Sequence, residues 1–236
     1  MKGSTEMETI DFHAHILPHM DHGSTRTATA KDQLALIHSA GVRTVCATSH
    51  FYPQDVLPDV FIEERRDSLR TLLTAMGRES RPRILLGAEV LICPGLENME
   101  GLSSLCIEGT NVMLLEMPFT HDSWDRSLYH TVNEIRKQGI RIVLAHVDRY
   151  PADLIEGLFD MGVMGQINAG SLHKLFKPKH LLRWIDEGSI VALGSDLHGS
   201  DPKSYAPFTK TVTSMSDRME QIMKATAALV SGAKKY

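Results

Sequence analysis

Apolar residues along this chain fall into two alternating patterns. Short runs at residues 9–12, 42–48, 84–88, 112–115, 140–145, 163–167 and 190–193 are rich in Val, Ile and Leu, and most are apolar on both faces. That pattern predicts parallel strands covered on each side. Between the runs lie segments of helical period. Ala30, Leu34 and Ile37 stand at i, i+4 and i+7 before Gly41, and Leu128, Val132 and Ile135 repeat the spacing before Gly139. Leu154, Leu158 and Met161 lead to Gly162, and Leu181, Leu182 and Ile185 to Gly188, each glycine acting as a helix stop. Residues 207–230 read as one or two closing helices. Seven strand–helix units with short connections predict an α/β fold, a distorted TIM-like barrel of seven strands, with a doubly wound open sheet as the alternative. No Gly/Ser/Pro-rich linker divides the chain, so residues 1–236 are expected to form one domain.

Composition narrows the classes of function. Lys plus Arg number 25 against 29 Asp plus Glu, a net charge of −4, which argues against a nucleic-acid or anionic-membrane surface as partner. No apolar run approaches the roughly 18 residues of a membrane helix. The polar stretch from Met1 carries no signal-peptide core, so a cytoplasmic protein without membrane insertion is expected. Cys46, Cys93 and Cys106 form no CxxC pair, which leaves neither a disulfide framework nor a thiolate zinc knot. Histidine is abundant at 12 residues, and histidine is both the commonest metal ligand and a common acid–base group.

Where those histidines fall is informative, because parallel α/β sheets and barrels build their sites at strand C-termini. The first strand ends in Asp11-Phe12-His13-Ala14-His15, and period-two alternation puts His13 and His15 on one face, about 7 Å apart. The second strand ends at His50, the third at Glu89, the fourth at Glu116 and the fifth at His146. The seventh ends in Ser195-Asp196-Leu197-His198, another same-face pair. Burying so many imidazoles and carboxylates at one rim requires compensating positive charge, and no Lys or Arg cluster accompanies them. Divalent cations supply it. Nitrogen and oxygen ligands without thiolate select Mn, Fe, Zn, Co or Mg. The ligand number exceeds the needs of one ion, so two or three ions sharing bridging carboxylates are expected, about 3.5–4 Å apart, a spacing suited to generating hydroxide and clamping a phosphoryl group.

This set of strand-end residues resembles the polymerase-and-histidinol-phosphatase (PHP) superfamily over residues 11–207. Within it, Asp11-Phe12-His13-Ala14-His15-Ile16-Leu17-Pro18, Ala145-His146-Val147-Asp148-Arg149-Tyr150, Gln166-Ile167-Asn168-Ala169-Gly170-Ser171 and Ser195-Asp196-Leu197-His198 are similar to the bacterial manganese-dependent protein tyrosine phosphatases of capsule and exopolysaccharide synthesis. The resemblance implies a trinuclear site, manganese as the ion, phosphotyrosine phosphatase activity, and the tyrosine-rich tail of a partner autokinase as substrate. Carried over position by position, one ion takes His13, His15, Glu89 and Asp196. Glu89 bridges to a second held by Glu116 and His146, and a third uses His50 and His198. The phosphatases have two adjacent Asp before a Gly, the second a ligand; here the stretch reads Asp21-His22-Gly23. His22 falls on the ligand position, as in histidinol phosphatases, with Asp21 as the alternative.

The resemblance assigns phosphate binding to Arg149, whose bidentate fork suits a phosphoryl group. A second cation is expected after the last ligand pair, where Lys203 offers charge without a fork. His19, His121 and His173 are expected in loops on the active rim, His38 and His180 on solvated helix surfaces, and Phe51, Tyr52 and Trp124 as candidate walls of an aromatic pocket. No Cys stands five residues before an Arg, so a cysteinyl-phosphate route is excluded. The expected chemistry is direct attack by a metal-bridging hydroxide, with Arg149, Asp196 and His198 as catalytic groups. The alternatives are a small-phosphomonoester phosphatase of the same superfamily, a metal-dependent hydrolase of amidohydrolase type, whose bridging Lys no strand end supplies, and a metal-binding module without turnover.

Overall fold

The computed structural model describes residues 8–120, 124–173, 178–214 and 216–236. Among the described residues nine strands run parallel: β1 (Ile10–Ala14), β2 (Thr44–Ala47), β3 (His50–Phe51), β4 (Arg83–Leu86), β5 (Glu89–Leu91), β6 (Val112–Glu116), β7 (Arg141–Leu144), β8 (Met164–Asn168) and β9 (Ile190–Gly194). They correspond to the seven predicted runs, because two runs are broken. The second continues past Thr48-Ser49 into β3, and the third past Gly87-Ala88 into β5. The strands order as β1-β2-β4 in one sheet and β3-β5-β6-β7-β8-β9 in the other. Hydrogen bonds carry the ladder across the breaks. Thr48 N–H donates to Ala14 O (3.0 Å), Gly87 N–H to Ala47 O (2.9 Å) and Glu89 N–H to Ser49 O (3.0 Å). The same breaks set His50 in register with Glu89.

The ring is completed where the chain beyond β9 returns to β1. Asp196 N–H donates to His13 O (2.8 Å), His15 N–H donates to Leu197 O (3.2 Å), and Ala14 pairs in parallel with Leu197. Closure therefore falls at the C-terminal rim, through a few bonds. The buried Asp11 carboxylate reinforces the seam by accepting from Ser195 N–H (2.9 Å) and from the Tyr205 hydroxyl (3.0 Å). Gly194 allows the close approach: a Cβ there would lie 2.6 Å from both His13 Cβ and Gln166 Nε2. Every residue of β1, β2, β6 and β9 is buried, as the two-faced apolar runs predict.

Helices cover the strands: α1 (Thr27–Ser39), α2 (Pro58–Met76), α3 (Arg126–Lys137), α4 (Ala152–Asp160), α5 (Ala169–Leu172), α6 (Lys179–Asp186), α7 (Pro202–Ser214) and α8 (Ser216–Leu229). α1 buries Ala30, Leu34 and Ile37, and α3 buries Leu128, Val132 and Ile135, the predicted stripes. In α4 the fully buried pair is Ile155 and Leu158, while Leu154 and Met161 are only partly covered. α2 stands where no apolar stripe was recognised, because two of its inward positions are polar. Arg65 is fully buried and donates to Gly87 O (2.8 Å), and Ser68 donates to Pro18 O (2.6 Å). The strand–helix alternation is also uneven: the β5–β6 connection holds only short 3-10 turns at Leu96–Asn98 and Leu102–Leu105. The closing segment is two helices, the first starting at Pro202 with Pro207 inside it.

Candidate metal centre

The C-terminal rim gathers His13, His15, His50, Glu89, Glu116, His146, Asp196 and His198. His13, His15, Glu89, Glu116 and His146 are between 0% and 4% exposed. His13 Nε2 and His15 Nε2 are 3.1 Å apart, and each stands 3.3–3.6 Å from Glu89 Oε2 and Asp196 Oδ1. The other oxygen of Glu89 faces a second group: Oε1 lies 3.0 Å from His146 Nε2, which is 3.3 Å from Glu116 Oε1. His50 Nδ1 approaches Glu89 Oε2 at 2.9 Å and Glu116 Oε2 at 3.9 Å. Three triads bring their ligand atoms within 4.8 Å of one another: His13, His15 and Asp196; His15, His50 and His198; His50, Glu89 and Glu116.

A layer of polar groups fixes how these rings face. His13 Nδ1 lies 3.1 Å from Gln166 Oε1, which also accepts from His146 N–H (2.8 Å). His15 Nδ1 lies 2.8 Å from Asp21 Oδ2, and His198 Nδ1 lies 3.0 Å from Asp196 O. With Nδ1 donating to these acceptors, the lone pair falls on Nε2 and faces the cluster, the tautomer a metal-ligating imidazole adopts. The rim also holds strained backbone. His146 (φ 33°) and Asp196 (φ 53°) occupy the left-handed region that favours glycine, so the fold over-determines both positions. Gly23 brings its loop against β1; a Cβ there would meet His15 Cβ at 2.2 Å.

At the Asp21-His22 step the two side chains part. Asp21 accepts from His50 N–H (3.1 Å) and Gly23 N–H (2.8 Å) as well as anchoring His15. His22 is exposed and stacks on His198 and His50, with centroids 4.5 and 5.1 Å away.

Electrostatically the cluster calls for a cation. Burial alone would raise the Glu89 carboxyl, but His13, His146 and His15 hold it well below the usual carboxylate range. Burial likewise works against the Asp196 anion, and the neighbouring His13, His15 and Arg149 charges reverse that effect. In return the carboxylates draw protons onto the imidazoles. His13 and His15 are raised despite burial, and His146 is pushed up to about 9 by Glu116 and Glu89. His198 goes the other way, to about 4, through burial and the charge of His15.

Divalent ions can answer the same field without protons, since their ligands are neutral imidazole and carboxylate. The geometry fits them. Four ligand atoms about 2.1 Å from one ion at tetrahedral corners sit about 3.4 Å apart, close to the spacing of His13, His15, Glu89 and Asp196. Glu89 Oε2, His50 Nδ1 and His198 Nε2 are buried with no hydrogen bond, although Glu89 Oε2 and His50 Nδ1 are near neighbours. Such closeness without hydrogen-bond directionality suits lone pairs aimed at a shared cation.

Arg149 sits at the rim in a 3-10 turn (Val147–Arg149) after His146, and its guanidinium pairs with Asp196 Oδ2. Asn168 donates to the same oxygen (3.1 Å). Beside Arg149 opens a cleft of about 520 Å³ lined by Asn168, Ser171, Ser195, Ser204 and Phe208. Lys203 does not line it; that side chain is exposed in the first turn of α7. Asp148 is no partner of Arg149, because it accepts from Asn168 N–H (2.8 Å) and the Ser171 hydroxyl. Among the aromatics, Phe51 is buried edge-on against Phe61, and Trp124 is buried with Nε1 donating to Pro118 O. Of the three named from sequence, Tyr52 stacks on a cluster ring. Phe119, unmarked in the sequence, stacks on His146. His19 and His173 are exposed, His180 packs on Trp184, and His121 lies outside the described residues.

Parallel strands thus deliver imidazoles and carboxylates to one rim, in groups that could hold metal ions. The chain belongs to the capsular polysaccharide synthesis CpsB/CapC family, whose sequence profile matches residues 9–232. It is 27% identical over 209 residues to the tyrosine-protein phosphatase YwqE of Bacillus subtilis (strain 168), covering 83% of this chain and 80% of that protein. Over 217 residues it is 26% identical to the tyrosine-protein phosphatase CpsB of Streptococcus pneumoniae, covering 82% and 84%. A crystal structure from the work on YwqE and CpsB as metal-dependent tyrosine phosphatases superposes with a TM-score of 0.76 at 22% identity, over 96% of both chains. A TatD-family hydrolase from Entamoeba histolytica shares the fold at 9% identity, with a TM-score of 0.56 over 96% of this chain and 99% of that one. Among the described residues no helix is long and apolar enough to cross a membrane.

Proposed function

We propose that the protein is a metal-dependent protein-tyrosine phosphatase serving capsular or exopolysaccharide synthesis. One observation carries the reading: Glu89 turns one oxygen to His13, His15 and His50 and the other to His146, all within 3.3 Å. His13, His15, His22, His50, Glu89, Glu116, His146, Asp196 and His198 would hold two or three ions, manganese by preference, in a unit spanning residues 1–236. When bound, such ions supply an activated water and positive charge for the phosphoryl oxygens. Gln166, Asp21 and Asp11 keep the holding residues in place. Arg149 offers a fork to the equatorial oxygens, exchanging its contact with Asp196 for the substrate, and Lys203 adds charge farther out. The partner fitting this reading is the phosphotyrosine tail of a cytoplasmic autokinase.

The cysteines stand apart. Cys46 and Cys106 are buried, and burial pushes the Cys106 thiol up to about 11. Metal-depleted protein should therefore lose hydrolysis of p-nitrophenyl phosphate and of a phosphotyrosyl peptide, and regain both with added manganese. Iodoacetamide should leave them intact. Full activity after complete metal removal, or loss of activity on alkylation alone, refutes the reading. His22 in place of an aspartate favours one second reading, a small-phosphomonoester phosphatase of histidinol-phosphatase type, which predicts a higher kcat/KM for histidinol phosphate than for the peptide.

A further inference from the structure

We infer that Tyr52 and Phe119 form the two walls of an aryl subsite that receives the ring of the phosphomonoester; the inference rests on the phosphatase reading and names how its substrate class is chosen. Four large apolar side chains are well exposed among the described residues, and two of them flank the same cluster. Tyr52, 37% exposed, lies over His50 with centroids 5.3 Å apart and planes at 16°. Phe119, 57% exposed, lies over His146 at 5.6 Å and 18°. His50 and His146 contact different oxygens of Glu89, at 2.9 and 3.0 Å, so each flat ring rests on an imidazole of that same carboxylate.

Phe119 is supported from beneath. Tyr150 lies 6.0 Å from it and 5.6 Å from His146, Trp124 lies 5.1 Å from Tyr150, and the Tyr150 hydroxyl donates to Met117 O (2.8 Å). So backed, the ring keeps more than half of its surface uncovered among the described residues. A phosphoryl group seated on the cluster points its ester oxygen outward past these two rings. An aryl group on that oxygen gains offset-stacked or edge-to-face contact and covers apolar surface; a methyl group reaches neither wall.

The test uses metal-loaded protein, calorimetric dissociation constants for phenylphosphonate and methylphosphonate, and metal content by mass spectrometry. Neither phosphonate is hydrolysed, so leaving-group reactivity does not enter. Phe119→Ala should weaken phenylphosphonate about tenfold and leave methylphosphonate within about twofold, at unchanged metal content. Phe119→Tyr should restore phenylphosphonate binding, and Phe119→Leu, which keeps bulk without a ring, should restore only part of it. Tyr52→Leu should act in the same direction as Phe119→Ala. Equal weakening of both phosphonates, or phenylphosphonate binding unchanged in Phe119→Ala and Tyr52→Leu, overturns the aryl subsite while wild-type turnover leaves the phosphatase reading standing. A wild-type protein that binds metal yet hydrolyses no phosphomonoester overturns the phosphatase reading, and the subsite with it.

Discussion

Gln166 stands outside the proposed ligand set, yet it should control the centre. Its Oε1 accepts from both His13 Nδ1 and His146 N–H, and its Nε2 donates to Asn168 Oδ1 (3.0 Å). Replacing it with Met preserves volume and removes all three bonds. Two donors and one acceptor are then left in a region where Gln166 itself is fully buried. An orphaned buried polar group costs about 1–3 kcal/mol, so a loss of about 2–6 kcal/mol in folding stability is expected from the two donors alone. With no acceptor at Nδ1, His13 no longer has its proton held there, and metal affinity should fall by about 10- to 100-fold. Gln166→Glu separates the two effects, because it keeps the acceptor for His13 and His146 while setting an oxygen against Asn168. It should bind metal about as tightly as wild type and still lose stability. Competition with a chromophoric chelator gives the affinities, and urea unfolding of the metal-free proteins gives the stabilities. Wild-type affinity in Gln166→Met, to within about twofold, refutes the claim that this amide sets the ligand tautomer.

Two further outcomes follow from the seam between β1 and β9. Burial pushes the Asp11 carboxyl up to about 6 from 3.8, with hydrogen bonds from Ser195, Tyr205 and His13 opposing it in part. Between these values the native state keeps a proton that the unfolded chain has lost, so stability falls as pH rises, by up to about 3 kcal/mol in total. Asp11→Asn in metal-free protein should therefore gain about 2 kcal/mol relative to wild type from about pH 4.5 to pH 7.5 in urea titrations, and a pH-independent difference contradicts this. Gly194→Ala forces a methyl into His13 and Gln166; an overpacking loss of about 1–3 kcal/mol should lower Tm by several degrees, and an unchanged Tm shows that the seam yields freely.

The rim was legible because each strand end writes its chemistry locally. His13 and His15 are two residues apart on one strand, and Asp196 and His198 repeat the arrangement. The barrel was legible because its strands are buried on both faces and read as unbroken apolar runs. What escaped depends on contacts between distant segments. The jogs at Thr48-Ser49 and Gly87-Ala88 follow from how neighbouring strands register, which neither run encodes alone. α2 escaped because Arg65 and Ser68 look solvent-facing until Gly87 O and Pro18 O are brought to them. Gln166 and Asp11 are ordinary strand polar residues until the fold places two histidines around one and a returning loop on the other. Phe119 carried no periodic signal, whereas Phe51, which did look like a pocket wall, packs in the core beside Phe61. Lys203 matched an expected charge by order along the chain, but the turn opening α7 leaves it in solvent.

The closure of the ring at Asp196 and His13 also sets a clock on synthesis. β1 leaves the ribosome well before its partner on one side, which lies 183 residues later, the difference between positions 13 and 196. At about 5–20 residues per second, the edge of β1 that ends at His13 and His15 waits about ten to forty seconds for the chain beyond β9 to arrive. During that interval β2 can cover only the opposite edge. A nascent chain thus shows His13 and His15 long before Asp196 arrives to complete the cluster proposed to hold metal.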